Sequence, residues 1–232
     1  MCGRFTLSKP PDLLTQYFSI PPGLPGPADH GLAPRYNIAP SQAVLAARRA
    51  PRSGARELAA LEWGLLPKWS RDPGGAPRPI NARAETLASR PAFREAFRAR
   101  RCLIPADGFY EWQLEGKRKQ PWYIHRPDHE LFAFAGLWEQ WRDAATSDAI
   151  ESCALITTTP NELLAPIHDR MPVIVAPEDF EEWLAPDSEP PAHLLRPYPA
   201  SELRAHRVGT MVGNPHAQGP ECCQPLPEAS PP

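Results

Sequence analysis

The chain has 232 residues, 42% of them hydrophobic and 22% charged, with a formal net charge of −2. This balance suits a globular protein with a sizeable core and excludes a general basic field, so any nucleic-acid binding has to come from a local patch. The five cysteines (Cys2, Cys102, Cys153, Cys222, Cys223) form no C-x-x-C pair, which argues against a zinc site or a disulfide framework, and no apolar run marks a signal peptide or membrane span.

A reducing, cytoplasmic setting is therefore expected. With no internal repeat or linker, the chain reads as one domain. Its 25 basic residues include only four lysines, a skew that suits phosphate recognition but also follows from genome composition.

The chain opens Met1-Cys2-Gly3-Arg4-Phe5. A small second residue favours removal of Met1. Cys2 then carries an amine and a thiol on adjacent carbons, a pair that can capture an aldehyde: the amine condenses to an imine, the thiol adds, and a thiazolidine ring closes. An α-amine titrates near pKa ~8 and a lysine near ~10.4, so its neutral fraction at pH 7 is roughly a few hundred-fold larger. Ring closure is intramolecular and gains accordingly in effective molarity. The competing reading makes Cys2 a small buried hydrophobe ahead of a strand at 3–7.

Pro10 and Pro11 open a helix over about 11–18, with Leu13, Leu14, Tyr17 and Phe18 at helical spacing. After a proline-rich loop at 21–27, residues 35–42 run extended into strands near 43–48 and 57–64, paired as a hairpin. Trp63 and Trp69 flank Gly64 and Pro67, as core anchors or as a surface for stacking bases. Polar residues 81–86 precede a helix at 91–100, with Phe93 and Phe97 on one face. Its other face carries Arg90, Arg94 and Arg98, either solvated or turned toward phosphates.

Residues 101–112 read as an apolar strand, an Asp107-Gly108 turn, and Glu111 between Tyr110 and Trp112. Burial by those rings would raise the carboxyl's pKa into the range for acid–base work, whereas an exposed strand glutamate would stay ordinary. Segments 121–126 and 131–138 read as a β pair, 153–158 as a strand, and Thr159-Pro160 as the start of a short helix. His168 lies on the loop before strand 173–175, as ordinary surface or as a proton shuttle. A helix at 177–184 and a proline-rich end complete the chain.

Seven segments stand in order: MCGRFT at 1–6, YNIAPSQ at 36–42, WGLLPKW at 63–69, NARAET at 81–86, RRCLIPADGFYEW at 100–112, FAGLWE at 134–139 and IHDRMPVI at 167–174. Together they resemble the SRAP family (SOS response-associated peptidase domain), whose members are abasic-site processing proteins. The resemblance implies an α+β fold: a single domain over 1–220, with antiparallel strands in a curled, barrel-like core flanked by short helices, and a flexible proline-rich tail at 221–232.

It implies a monomer, free of metal and cofactor, that binds single-stranded DNA or single-strand/double-strand junctions containing an abasic site, cytoplasmic and nucleoid-associated when bound. The ring-opened sugar supplies the aldehyde, and the thiazolidine crosslink shields the lesion from strand cleavage. Cys2 is then the nucleophile, Asn81 its orienting amide, Glu111 the acid–base group and His168 an aid to proton transfer at the sugar. Arg4, Arg83 and Arg170 would clamp phosphates, with Trp69 and Pro40 touching neighbouring nucleotides.

Gly213-Asn214-Pro215 departs from the asparagine pair that family members often carry there, and Cys222-Cys223 has no assigned role. Two other readings compete. One is a thiol peptidase, or self-processing enzyme, using Cys2, His168 and Asn81. The other is a non-catalytic single-strand DNA module that binds reversibly.

Overall fold

The computed structural model describes residues 2–21, 33–143, 146, 148–186 and 189–227. Most of the proline-rich 21–27 loop and the last five residues of the chain fall outside these. The strands, in chain order, are β1 (Phe5–Leu7), β2 (Arg35–Ile38), β3 (Ala43–Arg49), β4 (Arg56–Trp63), β5 (Asn81–Arg83), β6 (Arg101–Ala106), β7 (Gly108–Glu115), β8 (Arg118–His125), β9 (Phe132–Arg142), β10 (Ala149–Thr158), β11 (Met171–Pro172), β12 (Ile174–Val175) and β13 (Arg204–Arg207). Three short helices accompany them: α1 (Pro11–Tyr17), α2 (Arg94–Ala99) and α3 (Phe180–Leu184).

The larger sheet closes on itself. β10 pairs with β9 antiparallel and with β4 in parallel, and the β4–β3, β3–β6 and β6–β9 pairings complete a five-stranded barrel. Closure removes exposed strand edges from the centre of the molecule. The second sheet runs β13-β8-β7-β1-β2. The fold is the single-domain α+β architecture expected, with the barrel at its core and the short helices on its flanks.

Aromatic side chains fill the space between the sheets. Phe5 of β1 meets Trp63 and Phe134 edge-on, with ring centroids 5.2 and 5.7 Å apart, and Phe109 meets Phe134 at 5.9 Å. Trp63 is a core anchor, its indole N–H donating to Ile80 O across 2.9 Å. Trp69, by contrast, is 63% exposed and is not a core anchor.

Asp107-Gly108 is the corner at which the chain leaves the barrel (β6) for the second sheet (β7). Asp107 is buried there and accepts from Thr6 Oγ1 at 2.5 Å and from the Ser8 amide at 2.6 Å. Gly108 has no room for a side chain, since a Cβ would lie 2.1 Å from Tyr123 Oη.

Four local expectations are corrected. β8 and β9 form but do not pair; after a turn braced by Arg126 on Asp128, with His129 at φ +55°, the chain crosses to the other sheet. Residues 162–167 are successive turns rather than a helix from Thr159, and Asn161 Oδ1 caps them by accepting from Leu164 N at 3.0 Å. α2 starts at Arg94 because Arg90–Phe93 are taken up in turns, although Phe93 and Phe97 are both buried as their spacing predicts. The tail boundary at 221 cuts through a docked 3-10 turn, Pro220–Cys223. Cys222 is buried there, and Cys223 Sγ lies 3.0 Å from Tyr110 Oη.

Candidate functional site

Strand alternation assembles the site. In β5 the sequence Asn-Ala-Arg pairs in parallel with β10, sending Ala82 into the core and leaving Asn81 and Arg83 on the opposite face. Asn81 Nδ2 donates to the carbonyl oxygen of Cys2 across 2.9 Å. Its Oδ1 is a buried acceptor with no partner among the described residues. The Asn81 amide thus fixes the Cys2 backbone with one end and keeps the other end available.

Glu111 is 1% exposed. Tyr110 is turned by period two into a separate cluster with Val208, Val212 and Cys222, while Trp112 packs partly against that cluster and also lines a cleft with Glu111. Glu111 shares its face with Phe109 and lies opposite Trp122 of β8. Burial pushes its pKa up to about 7, so the carboxyl is poised to give or take a proton near neutral pH. Cys2 is fully buried, and burial drives its thiol well above the ordinary range, with the Glu111 charge adding to the effect.

His168 Nε2 stands 3.9 Å from Glu111 Oε2. Two groups approach its other nitrogen: the Arg170 backbone N–H and the Asp169 carboxylate, both at 3.0 Å. They require opposite protonation of Nδ1. The N–H can only donate, whereas Asp169 is solvated, and burial lowers the His168 pKa. Nδ1 is therefore the acceptor, and the neutral ring carries its proton on Nε2, facing Glu111.

Two clefts meet this cluster. The first, of about 930 Å³, includes Asn81, Arg83, Trp69, Arg71, Arg78 and Arg90 in its lining. Arg78 pairs with Glu62, whereas Arg71, Arg83 and Arg90 form no ion pair among the described residues. Of the arginine-rich helix region, Arg90 alone joins this wall. The second cleft, of about 590 Å³, is lined by Glu111, His168, Asp169, Trp112, Lys119 and Gly213, among others. A Cβ at Gly213 would meet nothing within 4 Å, so no clash requires glycine at this point of the wall.

The three arginines of the expected clamp are not equivalent. Arg83 is exposed in the first cleft. Arg4 turns inward, donating to Asn37 Oδ1 at 2.9 Å and to the carbonyls of Val212 and Gly213. Arg170 is held bidentate by Glu85 at 2.6 and 2.9 Å and also donates to Thr157 O. Pro40, in the turn after β2, does not line the first cleft. Sequence reasoning missed Arg71 and Asn37. Arg71 sits in an irregular stretch without periodicity, and Asn37 is visible only as a polar residue inside an otherwise ordinary strand. Among the described residues no three of His, Cys, Asp and Glu are grouped to hold a metal ion.

This combination defines a class: a closed-barrel protein in which a buried N-terminal-segment cysteine is tied to Asn81, a residue of the cationic cleft wall, near a buried carboxyl whose pKa is raised to about 7. The sequence model for SRAP, "SOS response associated peptidase", matches residues 1–215, and the chain belongs to that family.

It is 43% identical to the abasic site processing protein YoqW of Bacillus subtilis (strain 168), over 95% of this chain and 98% of that one. It is 32% identical to the abasic site processing protein YedK of Escherichia coli (strain K12), over 97% of this chain and all of that one. A solved protein from Bacteroides thetaiotaomicron superimposes with a TM-score of 0.84 at 27% identity, covering 97% of this chain and 100% of its own.

Proposed function

We propose that the protein processes abasic sites in DNA by covalent capture: after removal of Met1, Cys2 condenses with the ring-opened sugar of an abasic site in single-stranded DNA and closes a thiazolidine crosslink. The names of the relatives support abasic-site processing. The observation that carries the covalent reading is the anchoring of Cys2 by Asn81, a residue of the arginine-lined cleft, with the Glu111 charge acting on the Cys2 thiol.

The amine attacks first, because burial disfavours the thiolate. Its addition to the aldehyde gives a carbinolamine. Glu111, with a pKa of about 7, donates the proton with which the hydroxyl leaves as water, and the imine forms. The thiol then adds across the C=N bond, its proton passing to nitrogen. No oxidant or leaving group beyond water is needed. His168, with its proton on Nε2, serves the sugar hydroxyl. Arg83 and Arg71 hold phosphates while Trp69 stacks a neighbouring base.

The raised thiol pKa sets this order against a thiolate-first peptidase, which needs a depressed one. The test is incubation with an abasic single-stranded oligonucleotide, followed by denaturing electrophoresis and intact-mass measurement. An adduct that lacks Met1, survives SDS and forms without borohydride is expected. If Cys2→Ala gives the same adduct yield, the reading is wrong.

A further inference from the structure

Asn37 of β2 is wholly buried, 0% exposed, yet its side-chain amide is fully used. Nδ2 faces three carbonyl oxygens of one loop: Val212 at 3.2 Å, Asn214 at 2.9 Å and Ala217 at 2.8 Å. Its two protons are shared among them. Oδ1 accepts from Arg4, two residues from Cys2, and Arg4 itself grips Val212 O and Gly213 O. From outside, Gln218 Nε2 donates to Asn37 O at 3.0 Å and Pro215 O at 2.7 Å. A buried amide joining two chain segments that share no strand pairing is a costly arrangement to break, because each orphaned carbonyl loses its partner. The loop so fastened bears Gly213, which walls the cleft holding Glu111 and His168.

We propose that Asn37 is a positioning residue for the crosslinking chemistry: it ties loop 212–217 to β2 and, through Arg4, to the segment just after Cys2, so that the loop closes the Glu111 side of the cleft against water. This rests on the covalent-capture reading, but the loop's effect on Glu111 is measurable without DNA. The groups around Glu111 are the chain's α-amino group, whose charge and hydrogen bond act against the effect of burial, Cys2 ahead of β1, His168 and Asp169 on their loop, and Lys119 on β8. None of these is changed by substitution at 37. Releasing the loop hydrates the Glu111 carboxyl and lets its titration fall toward that of an ordinary carboxylate.

The experiment compares wild type with Asn37→Ser, and with Gln218→Ala, which loosens the same loop from its exposed side and spares the core. Thermal melting identifies the variants that fold. The Glu111 carboxyl is titrated by ¹³C NMR in the free protein. Crosslinking rate at saturating abasic oligonucleotide and affinity for intact single-stranded DNA are measured separately. In folded variants the Glu111 midpoint should drop by about one unit or more. The rate should fall about tenfold for Asn37→Ser and less for Gln218→Ala, with affinity changed less than about twofold. An unmoved midpoint overturns the proposal, as does parallel loss of rate and affinity. A shifted midpoint in a protein whose wild type forms no adduct upholds the loop's role and rejects the covalent reading instead.

Discussion

Asn81 and Cys2, 79 positions apart in sequence, are joined by a 2.9 Å hydrogen bond from side-chain amide to backbone carbonyl. The bond holds the α-carbon of Cys2 from its C-terminal side and engages neither its nitrogen nor its sulfur. It also polarises the Cys2–Gly3 peptide rather than the Met1–Cys2 peptide, an arrangement suited to fixing a terminal residue and not to cleaving the bond before it.

Separating the roles of nitrogen and sulfur gives the first prediction. Cys2→Ser retains the α-amine, so borohydride should trap an imine with abasic DNA, while the borohydride-independent adduct disappears. Cys2→Ala should behave alike, because its methyl side chain has no nucleophile with which to close a ring. Intact mass with and without reductant distinguishes the species. Asn81→Ala should leave the same product forming more slowly, by about ten- to a hundredfold if orientation is its role.

Glu111 gives a pH signature in stability. Its carboxyl titrates near 7 in the folded protein against an ordinary value of 4.5. Between these values the unfolded chain releases a proton that the folded chain keeps, so stability falls as pH rises from about 4.5 to about 7 and then levels off. The loss amounts to something on the order of 3 kcal/mol. Glu111→Gln should remove that dependence. Measured by denaturant unfolding, the variant should gain on wild type between pH 5 and pH 8 while crosslinking falls by about 10²–10⁴-fold.

The arginines separate by salt. Arg83→Ala should lower the salt slope of single-stranded DNA binding by about 0.7, and Trp69→Ala should weaken that binding by about 1–3 kcal/mol with the slope unchanged. Arg4→Ala should instead depress the melting temperature, because its guanidinium is engaged by Asn37 and two carbonyls. Equilibrium binding over a salt series, paired with thermal melting, reads all three.

Gly108→Ala tests the corner between the sheets. A Cβ 2.1 Å from Tyr123 Oη cannot be accommodated without moving that ring, which also lies 3.0 Å from Thr6 Oγ1. A destabilisation of about 1–3 kcal/mol or more is expected from overpacking, read as a lowered denaturation midpoint. Gly213→Ala, with open space around its Cβ, should leave the midpoint where it is.

Local pattern carried much of this fold. The β3–β4 hairpin, the first helix and the paired burial of Phe93 and Phe97 follow from periodicity and turn chemistry. Partnering did not, since β8 and β9 are neighbours in sequence and lie in different sheets, and nothing local encodes the parallel contact of β10 with β4. For the site, motif resemblance named Cys2, Asn81, Glu111 and His168, but what buries Glu111 depends on strand facing, which puts Phe109 and Trp122 on its side and sends Tyr110 away. Arg4 and Arg170 show the same limit. An arginine in a motif is legible, whereas whether its guanidinium meets solvent or a buried carbonyl is a property of the packed chain.

The barrel's closure has a consequence in time. β10 must meet both β4 and β9, so the ring cannot form until residue 158 has been made, and His168 follows ten residues later. At ~5–20 residues per second, synthesis separates Cys2 from that point by roughly ten to thirty seconds. Cys2 is thus made well before the residues that surround it, and slow non-local strand pairing extends the delay. Under the proposed mechanism, removal of Met1 and assembly of the surroundings of Cys2 would therefore be separate events.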